Sequence, residues 1–354
     1  PTEGARVAEA NEKHKPLYRA VLCMRLLDQL CIEESGIVAT GYVQACKEDI
    51  SGEAYKDLAT ENPTAYKAFV ENVKIPLLMA SLVQDIGNYH PDAQAILNNE
   101  SSNRHRTLGV EERKKLLQIN YRETVKFLVD GIGAPIYVGN SKTERDKFNI
   151  KEHKKLLFMK QLLKASVAPK EGIGNLLKVP QIYASIILST KSSYNYKLLP
   201  KVYQALNQNA ERGTCCKTVV DALHKITGDF PQGFGITYIP ESDNGEKVDR
   251  YEYAVVNQLY PSEPDTPLCR TATRHLTFLS FGQDIELPPA RNLYYVETAQ
   301  EFSTISKERL NEILELLASN YQERKNLDLL PRCWHANDYF SISDNQKLWN
   351  KAAV

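Results

Sequence analysis

The feature that most constrains this chain is a change of hydrophobic period at Thr227-Gly228-Asp229. Before it, apolar residues recur every three to four positions; after it, apolar and polar residues alternate. The first period suits helices that bury one stripe, the second suits strands that bury one face. Residues 1 to about 229 therefore read as helical. Leu17, Val21, Met24, Leu27 and Leu30 share a predicted face, and Gly36 ends that helix. Residues 64–73 and 76–86 make a second pair, with Pro76 suited to a first helical turn. Helices over 111–120, 121–129, 151–163, 179–190, 199–206 and 218–226 follow. Long loops are predicted at 90–109 and 131–149.

Beyond the change of period, 235–240 and 248–257 flank Ser242-Asp243-Asn244-Gly245, a hairpin signal. Residues 266–278 and 292–296 supply further strands. A last helix over 306–322 carries Leu310, Ile313, Leu314, Leu317 and Tyr321 on one stripe, and an aromatic tail runs from Trp334 to Phe340. The expected fold is mainly α: a helical domain over 1–229, a small antiparallel β module over 230–300, and a C-terminal helix and tail over 301–354.

Charge narrows the function classes. Lys plus Arg equals Asp plus Glu at 44 each, so no net basic field draws nucleic acid or an anionic membrane. No run reaches the ~18 apolar residues of a spanning helix, so membrane insertion is not expected. The start, Pro1-Thr-Glu-Gly-Ala-Arg6, lacks a signal-peptide pattern, and the missing Met suggests that an upstream segment belongs to the parent protein. Seven cysteines without a C-x-x-C pair argue for reduced, buried thiols and a cytoplasmic location. Neighbouring Cys215-Cys216 could form only a strained disulfide. Gly131-Ile-Gly133 and Gly172-Ile-Gly174 lack a preceding strand, so neither supports a dinucleotide fold.

The chemistry-bearing stretch is Gln84-Asp85-Ile86-Gly87, after the apolar run 75–83. With Asn88 and the segment 91–97 it resembles the His-Asp-Ile-Gly-Lys signature of the HD-GYP family. Further pieces follow in the family's order: 108–128, an acidic helix start; Glu171-Gly-Ile-Gly174, similar to the Asp-Gly-x-Gly loop; and 231–235, 253–261 and 284–287, similar to a closing β segment. The resemblance covers about residues 64–297. It implies an HD-like helical bundle, a bacterial source, and a di- or trimetal phosphodiesterase acting on cyclic di-GMP.

Carried over residue by residue, the same resemblance implies a lost metal site. Gln84 stands for the His of the His-Asp pair and Asn88 for the substrate-facing lysine. Asn120 and Tyr121 stand for a His-Pro, Ser166 and Val167 for paired histidines, Ala168 for a Glu, Asn175-Leu176 for a Tyr-Pro, and Lys191 for a late Asp. Only Asp85 keeps the ligand type, and one carboxylate cannot clamp two or three dications. Asp85 is read as a cap or an ion pair, with Lys191 as its partner; the alternative is residual metal binding. No catalytic residue, metal or other cofactor is then expected.

The remaining cleft would bind or regulate. A protein partner in a signalling pathway is expected, with a cyclic dinucleotide as the other candidate. Arg122, Lys126, Lys191, Tyr194 and Tyr196 lie on segments that would line the cleft, with Glu171 nearby; ordinary surface positions are the alternative. The competing reading is a phosphohydrolase rebuilt on Asp85, His90, Asp92 and Glu171 around Fe or Mn. The other histidines are scattered without metal-ligand spacing.

Overall fold

The computed structural model describes residues 3–47, 52–98, 105–194, 199, 201–242, 244–275, 277–279 and 282–303, with helical positions at 308, 311, 312, 315, 316 and 321–326. These residues are mainly helical, with a small antiparallel sheet and helical segments after it. The chain divides into two compact units, 1–195 with 202–223, and 196–201 with 224–354.

In the first unit α1 (Glu3–Ile32), α2 (Gly41–Lys47), α3 (Glu53–Lys56), α4 (Leu58–Glu61) and α5 (Pro63–Phe69) lead through a π-helical turn, Val70–Lys74, into α6 (Ile75–Val83). The segments α7 (Pro91–Leu97), α8 (Val110–Lys126), α9 (Lys142–Ala165), α10 (Asn175–Ile187), α11 (Val202–Glu211) and α12 (Lys217–Thr227) follow. Helix α1 packs against α6 and α10, and α6 packs against α9. Leu26, Leu27, Leu30, Leu77, Leu162 and Leu177 are fully buried there. Each such leucine contributes about 1.5–3 kcal/mol relative to exposure.

The face of α1 differs from the predicted one. Of the predicted stripe Leu27 and Leu30 are buried, but Leu17 and Val21 are 62% and 50% exposed, and Arg19, Cys23 and Leu26 are buried in their place. Spacing by threes and fours fits two overlapping stripes, and packing against α6 and α10 selected the one carrying Arg19. Residues 111–129 form not two helices but α8 and a π-helical turn, Phe127–Ile132, because Asn120-Tyr121 contains no breaker. The predicted loop 90–109 contains α7, which Pro91 opens and the His90 ring caps by accepting from the Asp92 N–H at 3.3 Å. The predicted loop 131–149 ends early at α9, whose first turn is held by Ser141 Oγ accepting from the Glu144 N–H.

In the second unit β1 (Gly235–Tyr238), β2 (Glu252–Val256), β3 (Leu268–Thr271) and β6 (Asp284–Glu286) form an antiparallel sheet in the order β1-β2-β3-β6. The strands β4 (Thr273–Arg274) and β5 (Thr277–Phe278) pair separately. Phe230, Ile236, Tyr238, Ala254, Val256 and Leu287 form the core of this unit, with Cys269. Residues 292–296 do not form the predicted strand. Asn292 makes a single bridge to Tyr238 and its Oδ1 accepts from the Tyr294 N–H, turning the chain into α13 (Val296–Ser303). Most of the predicted stripe over 306–322, and the tail from Trp334, lie outside the described residues.

Candidate functional site

Asp85 lies just past the end of α6, before a 3₁₀ turn at Ile86–Tyr89 that rests on α8. Gly87 makes that contact possible: a Cβ there would stand 2.2 Å from the Asn120 carbonyl oxygen. The close approach is fixed by the Thr124 hydroxyl, which accepts from the Gly87 N–H at 3.1 Å. The Asn120 amide donates to the Gln84 carbonyl at 3.2 Å and lies 3.5 Å from Asp85 Oδ1. Gly174 plays the same part at the start of α10, where a Cβ would stand 2.3 Å from the Ala165 carbonyl at the end of α9. Both glycines lie in stretches that carried the resemblance, and both bring helices together.

The partner of Asp85 is Arg19, not Lys191. The Arg19 guanidinium, 1% exposed, donates from Nη1 to Asp85 Oδ2 and from Nη2 to the Ser81 carbonyl at 2.8 Å. Lys191 is exposed and its Nζ donates to Thr107 Oγ1 at 3.2 Å. Sequence spacing offered no way to pair positions 19 and 85. Burial pushes the Asp85 carboxyl upward. The charge and hydrogen bond of Arg19, the charge of Lys15 and the Asn120 amide outweigh it, and the group titrates below the usual aspartate range. Lys15 is itself lowered by burial and by Arg19, against the attraction of Asp85.

Gln84, Asn120, Ser166, Val167 and Ala168 all line one cavity of about 800 Å³ between α8, the end of α9 and α10. Ser166 ends α9 with its hydroxyl donated back to the Leu163 carbonyl at 2.8 Å, and Val167 is 62% exposed. An amide, a hydroxyl and an aliphatic group give this wall little affinity for Fe or Mn. Asp85 faces a guanidinium that cannot lose its proton and a nearby ammonium, so the donor set does not fit a dication.

His90, Asp92 and Asp85 do not assemble a replacement. The His90 ring caps α7, with Nε2 3.8 Å from Glu123 Oε2, and Arg122 lies 2.6 Å from Glu123 Oε1 and 3.8 Å from Asp92 Oδ2. Glu171 is exposed in the turn before α10. Among the described residues no group of three His, Cys, Asp or Glu side chains is placed to hold a metal.

The residues expected to line a ligand cleft are not brought together. Arg122 and Lys126 are on the exposed side of α8, and the Tyr194 hydroxyl donates to the Ile187 carbonyl. Neither they nor Lys191 line the cavity, and Tyr196 lies outside the described residues. The cations that do line it are Arg113, Lys114, Lys164 and Lys178. Comparison with known proteins gives no match to a family model, a curated protein or a solved structure. Among the described residues no helix is long and apolar enough to cross a membrane.

Proposed function

We propose that this chain is a catalytically silent HD-GYP-like protein that works as a signalling, scaffold or regulatory binding module in a bacterial cytoplasm, linked to cyclic di-GMP signalling. The observation that carries this reading is the ion pair between Arg19 and Asp85. In a metal-dependent phosphohydrolase a carboxylate at this place neutralises a dication, which lowers the pKa of a bound water and clamps the phosphoryl oxygens. Here a permanent cation of fixed shape already satisfies the carboxylate, Lys15 adds like charge, and no water is polarised. The fold survives such a replacement because the guanidinium meets the electrostatic demand of the half-buried carboxylate without supplying Lewis acidity. The amide at Gln84 and the hydroxyl at Ser166 extend the same exchange of ligands for neutral polar groups.

Metal analysis of purified protein after exposure to Fe²⁺ and Mn²⁺, together with a bis(4-nitrophenyl) phosphate assay, tests the reading. The expected result is metal well below one ion per chain and no turnover above the metal-only blank. One or more tightly bound ions per chain with metal-dependent hydrolysis would replace the silent reading by the phosphohydrolase one.

A further inference from the structure

The cavity between α8, the end of α9 and α10 has an uneven inventory. Four cations, Arg113, Lys114, Lys164 and Lys178, line it, and no Asp or Glu does. None of the four has a carboxylate partner among the described residues. In a chain whose acidic and basic residues balance at 44 each, such a local excess is a property of the site and not of the composition. Lys178 is partly enclosed; burial lowers its pKa, and the charge of Arg113 lowers it further, against the attraction of Cys215 and Asp85. Like charges gathered around one cavity, Lys178 partly desolvated among them, favour an anion between them.

The rest of the wall mixes neutral polar groups, Gln118, Asn120, Thr124, Ser166 and Gln181, with apolar ones. Leu117, Tyr121, Leu163 and Val167 line it, and Leu117 and Val167 stay 54% and 62% exposed, although residues of this kind usually find cover. At the base stands Gln84, 6% exposed, whose Oε1 has no hydrogen-bond partner among the described residues. A volume of about 800 Å³ lies within the range of pockets that enclose small organic ligands.

We propose that this cavity binds a small organic phosphate: a phosphoryl group held by Arg113 and Lys178, with an apolar body laid against Leu117, Tyr121 and Leu163. A phosphate suits the site better than a carboxylate because its second charge and third oxygen engage several cations at once, and a guanidinium grips two of those oxygens together. The assignment deepens the proposed function by naming the ligand class of the silent cleft, and it rests on that reading only in taking the phosphate to be bound and not cleaved.

Calorimetric titration of the full chain with phenyl phosphate, hexyl phosphate, inorganic phosphate and phenol tests it, with phenol release followed in the same samples. Phenyl or hexyl phosphate is expected to bind at least about tenfold more tightly than inorganic phosphate or phenol, and the pair separates a ring from a chain as the preferred body. Arg113→Gln, an exposed change that spares the fold, and Lys178→Met should each weaken that binding by about tenfold, the loss of one charge-assisted contact. Three results would overturn the site: no heat up to about 10 mM, equal affinity for inorganic phosphate, or binding unchanged in both variants. Release of phenol would overturn the silent reading instead, while the response of binding to Arg113→Gln and Lys178→Met would still decide the site.

Discussion

Two Arg–Asp pairs, one in each unit, show how differently the same chemistry can be built. In the sheet, Arg270 is 6% exposed and donates to Asp284 from Nε at 2.8 Å and from Nη2 at 3.1 Å. In the helical unit, Arg19 is 1% exposed and donates to Asp85. Both carboxylates keep about a third of their side-chain surface open, 37% and 34%. The sheet pair follows from strand register, since Arg270 and Asp284 stand opposite each other on β3 and β6. The helical pair joins positions 66 apart in sequence and exists only because α1 packs on α6. For Asp284 the largest influence is the Arg270 hydrogen bond; for Asp85 it is burial, which the cations must overcome. The first pair decorates a ladder that already exists, while the second satisfies a guanidinium that the fold has enclosed.

Breaking the helical pair should therefore cost the most. Arg19→Met leaves the half-open Asp85 carboxylate without its main partner and is expected to destabilise the protein by about 1.5–3 kcal/mol in urea unfolding. A loss below about 1 kcal/mol would mean that Asp85 is effectively solvated and that the two pairs do not differ. Adding Asp85→Leu to Arg19→Met removes the stranded charge, so the double variant should recover most of that loss. In the sheet, Arg270→Met is expected to cost only about 1 kcal/mol, because Asp284 keeps the Asn257 amide at 3.0 Å and burial weighs on it less than on Asp85.

The smallest effect is on the acid limb of stability. Asp85 has a folded pKa below its unfolded value, so its contribution is complete above about pH 4 and is lost as pH falls through the folded pKa. The slope of unfolding free energy against pH below about pH 4 should be shallower in Asp85→Asn than in the parent chain. An unchanged slope would assign the acid limb to Asp284 and the exposed carboxylates.

Of the positions that the resemblance singled out, 84, 120, 166, 167 and 168 line one cavity, whereas 85 and 191 do not. The partner of Asp85 was not legible in the sequence. An α1 stripe phased on Leu17 and Val21 places Arg19 toward solvent, and no local rule overrides that choice. The cations of the cavity were equally hidden: on a helix taken alone, Arg113, Lys114 and Lys164 are charges on a polar face, and their shared cavity exists only after α8, α9 and α10 meet.

The sequence by itself determined the order of the layers, helices and then an antiparallel sheet, because side-chain period is set by local backbone geometry. It also determined that the residues around Asp85 are poor metal ligands, since donor chemistry belongs to the side chain whatever its position. Tertiary structure alone decided which cation answers Asp85 and which lysines and arginines surround a common cavity. Those outcomes depend on which helix faces are buried against each other, and burial is a property of the packed assembly, where a charge taken from water must find a partner across space and not along the chain.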